Sequence, residues 1–165
     1  MSRLVSPSEG LDVCFRPKYR QERAGDVIDV LRKTAFSFDV AANRVEALVI
    51  ATGVDARRWA SGIAALRVYS RNTWAGPTTG TLIARVENVL VTPDQPGVIF
   101  GDNANLHNDI GPVTATTPGG TLFVIPLLAP LGPLLRVSLI FSQGATPASG
   151  AQTAELGLTL VGRRA

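Results

Sequence analysis

The sequence predicts an all-β protein: an antiparallel sandwich of two sheets, of the jelly-roll type, that follows an extended N-terminal arm. Turn-forming residues recur along the chain, with 16 glycines and 11 prolines among 165 residues. Between these turns, apolar and polar residues alternate with the period of two that is typical of a half-buried strand. About eight such segments without an internal repeat suit a jelly roll, which is built from eight strands. A chain of this length suits one domain.

The sandwich is expected to begin after residue 25. Residues 1–25 contain several prolines and glycines and no sustained period, so we predict an arm there and the sandwich domain at 26–165. The net charge of the chain is +3, and most of the positive excess lies in residues 15–23.

The first part of the domain gives both strand and helix signals. Residues 35–51 contain two alternating runs, one around Phe38 and one that begins at Val45, and each predicts a strand. Residues 26–33 also suit a helix, because Asp26 could cap it and apolar residues recur at helical spacing.

The middle of the chain predicts strands separated by polar loops. Residues 53–62 form a polar loop with one tryptophan, and the alternating segments 63–72 and 81–92 are strands. A short strand follows at 98–100. Residues 101–120 are rich in Gly, Asn, Asp, Thr and Pro, which predicts a long loop.

Residues 121–140 are as long and apolar as a membrane span, but they contain three prolines within eight residues. Each proline inside a helix costs about 3 kcal/mol or more, so a spanning helix is excluded. The stretch is instead predicted to form two strands, 121–125 and 134–141, that flank an apolar loop. In this loop, exposure of Leu127, Leu128 and Leu131 would be costly, so they either cap the core of the domain or meet another subunit. We include these three leucines among the predicted interface residues. The last alternating segment, 153–164, predicts the final strand.

The chain is poorly supplied with groups for catalysis. It has one cysteine, Cys14, and one histidine, His107, and it lacks a nucleophile elbow, a phosphate-binding loop and a Cys/His metal pattern. We therefore predict no enzyme activity, no cofactor and no metal. The Asp and Asn residues of the 101–110 loop could bind calcium or a carbohydrate, but a polar surface loop is the preferred interpretation.

The basic part of the arm predicts an interface. Aromatic and positively charged side chains are interleaved there, as in segments that bind phosphates, but Glu22 dilutes the charge. An arm that lies on a neighbouring subunit through ion pairs is therefore preferred over a nucleic-acid contact. The predicted interface residues of the arm are Phe15, Arg16, Lys18, Tyr19, Arg20 and Arg23.

The arm, the Gly/Thr/Pro-rich sandwich and the ending "AELGLTLVGRR" together resemble small structural proteins of tailed bacteriophages and phage-like particles, such as capsid decoration and head-spike proteins. The resemblance implies a non-enzymatic virion protein that binds a capsid surface or other virion proteins and oligomerises there. The arm and the apolar loop predict a homo-oligomer, a trimer or a pentamer, and the prolines of residues 121–140 predict no membrane partner. The single cysteine and the phage resemblance together predict a particle that is assembled in a bacterial cytoplasm. Two alternatives remain open: a carbohydrate- or calcium-binding module that uses the 101–110 loop, and a single-jelly-roll capsid protein whose arm contacts nucleic acid.

Overall fold

The structure, a computed structural model, is all-β over the part of the chain that it describes. The described residues are 25–38, 43–71, 80–90, 98–99, 107–127, 131, 133–144 and 152–164. They form the strands β1 (Asp26–Phe38), β2 (Val45–Asp55), β3 (Trp59–Arg71), β4 (Thr81–Leu90), β5 (Val98–Ile99), β6 (His107–Thr114), β7 (Leu122–Leu127), β8 (Leu134–Ser142) and β9 (Gln152–Arg164). The predicted arm lies outside the described residues except for Gly25.

The strands form two antiparallel sheets. Sheet A has the order β1-β9-β3-β7, and sheet B has the order β2-β8-β4, with β5 and β6 both paired to the far edge of β4. The pairs are nested: β1 pairs with β9, β2 with β8, β3 with β7 and β4 with β6. Nested pairing is what results when one long antiparallel ribbon is rolled up, and it is the arrangement of a jelly roll. The predicted fold class is confirmed.

The core lies between the two sheets and follows from the alternation along each strand. The inward positions of β3, β4, β8 and β9 carry apolar side chains that are almost fully buried. Full burial of one large aliphatic side chain contributes about 1.5–3 kcal/mol, so these four central strands supply most of the stability. The largest fully buried side chains include Leu66, Leu82, Ile110, Leu135, Leu139, Phe141, Leu156, Leu158 and Leu160.

The helix that the sequence allowed for residues 26–33 is wrong, because these residues form the first part of β1. Two register shifts against β9, between Asp29 and Leu31 and between Leu31 and Thr34, break the period of two. A bulged strand places apolar residues at irregular intervals, and here those intervals imitate a helix. Pairing with β9 decides the conformation.

Two predicted loops also contain strand residues. In the first, 53–62, β2 continues to Asp55 and β3 begins at Trp59, whose side chain is buried in the core. In the second, 101–120, residues His107–Thr114 form β6. Pairing with β4 and the burial of two apolar residues of β6 outweigh the local turn signals. Gly111 has φ +131°, and it adjoins a register shift between the two strands.

The apolar stretch 121–140 splits as predicted into two strands, β7 and β8. Within the described residues, no helix has the length and apolar character needed to cross a membrane. Leu127 is 5% exposed and belongs to the core, and Leu131 packs against the core. Both side chains therefore contact the core of this chain, and Leu127 lies in β7 rather than in the predicted loop. A contact of these residues with another subunit stays a prediction.

The turn between β2 and β3 is held by Asp55 and Arg57. The guanidinium of Arg57 donates to both carboxylate oxygens at 3.0 and 2.7 Å, and its backbone N–H donates at 3.1 Å. These hydrogen bonds, chiefly from the side chain, lower the pKa of Asp55 from 3.8 to about 2. Because the folded value is depressed, the contribution of this carboxylate to stability is present above about pH 4 and is lost as the pH falls toward 2.

The replacement Arg57→Met should raise the pKa of Asp55 toward 3.8 but not fully to it, because the backbone donor remains. The measurement is an NMR titration of the Asp55 side-chain carbon. Arg58→Met is the control and should move this pKa much less, because Arg58 acts only through a weaker charge–charge interaction. Equal shifts in the two variants would contradict the assignment to the Arg57 hydrogen bonds.

The start of β1 is fixed at a corner formed with the end of β9. The indole N–H of Trp59 donates to Asp26 at 3.0 Å, and Arg164 donates to the same carboxylate at 2.6 Å. Gly162 lies directly under the indole ring, where a Cβ would overlap ring atoms. These contacts fix the first residue of β1 against the last residues of β9.

Candidate interaction surfaces

The outer face of sheet A carries an apolar surface, which we call the apolar face. Its members are Val27, Ile63, Leu122, Val124, Pro126 and Val161. The pairing register places Val27, Val161, Ile63 and Pro126 side by side in one row across all four strands. Val124 lies in the next row beside Ala65, and Leu122 pairs with Arg67.

The large side chains of the apolar face are well exposed. Val27, Leu122 and Val124 are 54%, 56% and 52% exposed, and Ile63 is 41% exposed. Single exposed apolar residues are common, but contiguous ones mark interaction sites. The strand β7, "LFVIPL", is apolar on both of its faces. Such continuous apolar runs are typical of strands that are covered on both sides.

A polar rim borders the apolar face. Tyr69 packs on Gly157, and Lys33 and Arg67 lie 5.6 and 5.3 Å from the centre of its ring. The hydroxyl of Ser70 donates to Glu155 at 2.7 Å. This hydrogen bond, with a further contribution from Lys33, lowers the pKa of Glu155. An apolar centre with a charged rim is the usual anatomy of a protein–protein interface.

A second apolar surface lies between β1 and β2, which are the edge strands of sheet A and sheet B on the same side of the sandwich. We call it the edge groove. A cavity of about 240 Å³ lies there, and its apolar lining residues Phe36, Phe38, Ala47, Leu48 and Leu139 are joined by the polar residues Ser37 and Glu46. The rings of Phe38 and Phe141 stack with centroids 4.9 Å apart, so the floor of the groove is continuous with the core.

The outer face of sheet B carries ion pairs in addition to the exposed apolar side chains of Val45 and Val49. Arg85 binds both carboxylate oxygens of Asp109 at 2.7 and 2.8 Å, and Arg136 binds Glu87 at 2.6 Å. Between them lies Ser138, which is 3% exposed and whose hydroxyl has no hydrogen-bond partner among the described residues. The outer faces of the two sheets are thus chemically different.

The predicted polar loop at 101–110 is only partly described. His107, Asn108 and Asp109 belong to β6. The carboxylate of Asp109 is occupied by Arg85, and Asn108 is 8% exposed. The part of the chain that the structure describes holds no group of three His, Cys, Asp or Glu residues arranged for a metal ion.

The predicted interface residues of the arm lie outside the described residues, as does Leu128. The apolar face and the edge groove were not predicted from the sequence. The segment that forms β7 was the one sequence signal for an apolar outer surface. It has apolar residues on both faces, whereas a strand with one buried face needs them on that face only. The apolar face itself depends on the register of four strands that are distant in the sequence, and the local pattern does not give that register.

No family model matches this chain, and no curated protein does. Solved structures do match in fold. A structure of infectious bursal disease virus, Gx strain, aligns with a TM-score of 0.53 at 13% identity, over 86% of this chain and 32% of that chain. The infectious bursal disease virus VP2 subviral particle aligns with a TM-score of 0.53 at 11% identity, over 87% of this chain and 33% of the other.

A third solved structure, of T=1 particles derived from the same virus, aligns with a TM-score of 0.50 at 12% identity and covers 32% of that chain. The chain therefore spans about a third of the length of these viral capsid proteins. At such identities the likeness is one of fold, and none of these three proteins is a tailed-phage decoration protein. The comparisons therefore show that the jelly roll of this chain is similar in fold to about a third of each of these viral capsid proteins.

Proposed function

We propose that this chain is a non-enzymatic structural protein of a virion or phage-like particle and that it forms a homo-oligomer through the apolar face. The observation that carries the proposal is the row of apolar side chains across all four strands of sheet A, in which Val27 is 54% exposed, together with Val124 in the next row, which is 52% exposed. An interface that buries these side chains would gain about 25 cal/mol of free energy for each Å² of apolar area removed from water. A neighbouring subunit is the natural cover for a flat sheet face of this kind.

The fold supports the particle context. The jelly roll is common in viral capsid proteins, and the solved structures similar to this chain come from virus particles. In the proposed particle the subunit forms a trimer or pentamer and attaches to a capsid or capsid-associated surface. The basic arm residues and Leu128 add contacts to neighbouring virion proteins. Assembly in a bacterial cytoplasm belongs to the same proposal.

The replacement Val124→Asp should weaken self-association by about tenfold or more, because it places a charge within the apolar face. Sedimentation velocity over a concentration series measures the change. Val124 is already half exposed, so the variant should remain folded with an unchanged circular dichroism spectrum. Thr52→Asp is the matched control: it adds the same charge at an exposed position of β2, on the other sheet, and should associate like the native chain.

If the native chain is a monomer at high micromolar concentration, self-association is refuted. If Thr52→Asp weakens association as strongly as Val124→Asp, the effect is one of net charge and the apolar face is not the interface.

A second candidate is a capsid shell protein with a single jelly roll and an arm that contacts nucleic acid. The fold likeness to viral capsid proteins favours it, together with the basic residues between 15 and 23. Electron microscopy of the purified chain separates the two candidates. Closed shells formed by the chain alone support the capsid shell protein, whereas discrete oligomers support the attached structural protein.

A further inference from the structure

One edge of β2 is open. β2 is the outermost strand of sheet B, and only its other edge is paired, with β8, within the described ranges. Its first five residues, Val45–Val49, are all exposed, with Val45 at 64%. They contain one charge, on Glu46, and neither lysine nor proline, and the register shifts of β2 begin only after Val49. Such a regular, apolar edge is a site for the addition of another strand.

The edge groove lies beside this open edge. Leu48 lines the groove and is 49% exposed, whereas its neighbour Val49 is 46% exposed and does not line it. An added strand would place every second side chain over the groove, toward Phe36, Phe38 and Leu139. The edge therefore offers backbone hydrogen bonds, and the groove selects for apolar residues at alternate positions.

We infer that the open edge of β2 receives residues Leu11–Phe15 of a second copy of this chain as an added strand. This inference rests on the proposed self-association. The segment reads "LDVCF", with apolar residues at 11, 13 and 15 and with Gly10 and Pro17 at its ends, which are the signals of a short strand. Its alternate apolar side chains match the groove.

Charge favours the same occupant. Glu46 is the one charged residue among Val45–Val49. Arg16 and Lys18 follow the proposed strand directly in the sequence. An arginine placed beside Glu46 at the end of the added strand would make a charge-assisted hydrogen bond, which fixes the direction of the strand on the edge.

The length of the chain favours a neighbouring copy over the same chain. Phe15 precedes Gly25 by ten residues, which reach at most about 36 Å. The groove residue Phe36 lies eleven residues along β1 from Gly25, about 36 Å away. Within one chain the connection would have to be fully taut, and its strand would run parallel to β2. A second copy meets neither restriction and can pair antiparallel, which is the slightly more stable arrangement.

Disulfide trapping between separate full-length chains tests the inference. All chains carry Cys14→Ser. One set carries a single cysteine, Leu11→Cys, Val13→Cys or Phe15→Cys, and the other set carries Leu48→Cys. After each pair is mixed, allowed to associate and oxidised, mass spectrometry of the linked peptides should find a bond between the arm position and position 48. Val49→Cys, equally exposed but off the groove, is the matched control and should be linked far less.

Three results would overturn the inference. Links between two copies of position 48 would indicate that β2 pairs with β2 of the second chain. Links that form only when both cysteines are in one chain would place the arm on its own domain, and links from the arm to a cysteine at Leu122 would place the arm on the apolar face. Oligomers that persist without any link from the arm to position 48 refute this inference and leave the proposed function intact. Monomers refute both.

A second readout does not depend on trapping. Leu48→Asp should weaken association of the full chain by about tenfold, because it puts a carboxylate among the groove residues beside Glu46. Val49→Asp should weaken it much less. Equal losses in both variants, or in neither, would contradict the role of the groove.

Discussion

The replacement Gly162→Ala should lower the free energy of unfolding by about 3 to 5 kcal/mol, the range for loss of a large buried aromatic side chain. The added Cβ would overlap the indole ring of Trp59, and the rigid ring has no room to shift while its N–H is bonded to Asp26. Trp59 is 7% exposed, so its displacement exposes apolar area and breaks the corner between β1 and β9. Chemical denaturation followed by tryptophan fluorescence measures the loss.

A double-mutant cycle identifies the cause. Glycine inside a strand normally costs stability relative to alanine, by about 0.5–1 kcal/mol, so the loss must come from the clash. Once Trp59→Ala has removed the ring, adding Gly162→Ala should cost less than about 1 kcal/mol. If Gly162→Ala is as damaging without the indole as with it, the backbone of β9 rather than Trp59 requires the glycine.

The replacement Arg136→Met should lower the free energy of unfolding by about 3 kcal/mol, because it leaves the carboxylate of Glu87 buried without its main partner. The side chain of Glu87 is 6% exposed, and two nitrogens of Arg136 contact its Oε2 at 2.6 Å. Arg85 lies close enough to act on Glu87 electrostatically but is itself bound to Asp109. Chemical denaturation at pH 7 measures the change.

Two further variants separate burial from charge. Arg57→Met breaks an ion pair of similar length whose side chains are 69% and 54% exposed, and it should leave the denaturation midpoint nearly unchanged. Glu87→Met in combination with Arg136→Met should recover most of the loss, since a buried pair can be replaced by apolar groups at little cost. A double variant as unstable as Arg136→Met alone would contradict this account.

The sequence predicted the strands that pack regularly on one core. Over residues 62–68 of β3, 82–86 of β4, 135–141 of β8 and 154–160 of β9, every second residue is inward and buried, so the pattern alone predicted these strands and their buried faces. It failed where pairing with a distant strand overrides local preference. The polar residues of β6 predict a loop when they are considered locally. The pairing with β4, which places Asp109 opposite Arg85, explains why they form a strand.

The candidate surfaces were harder to predict for a related reason. The exposed residues Val27 and Val124 are separated by almost a hundred residues in the sequence and lie on the two edge strands of sheet A, and only the order and register of the strands bring them to one face. The edge groove likewise forms only where β1 of one sheet lies opposite β2 of the other sheet, and the local sequence pattern does not show which strands lie opposite each other. The alternation within a strand gives which residues share a face but not which faces meet.

The nested pairing has a consequence for synthesis of the chain. Asp29 in β1 accepts a hydrogen bond from Thr159 in β9, 130 residues later, and β9 lies between β1 and β3 in sheet A. At a translation rate of about 5–20 residues per second, β1 therefore waits roughly 6 to 25 seconds for the strand that pairs with it. Until then sheet A lacks its second strand, and the apolar sides of β3 and β7 stay open to other nascent chains. Because a topology with such long-range contacts folds slowly, we expect the pairing of β1 with β9 to be a late step of folding.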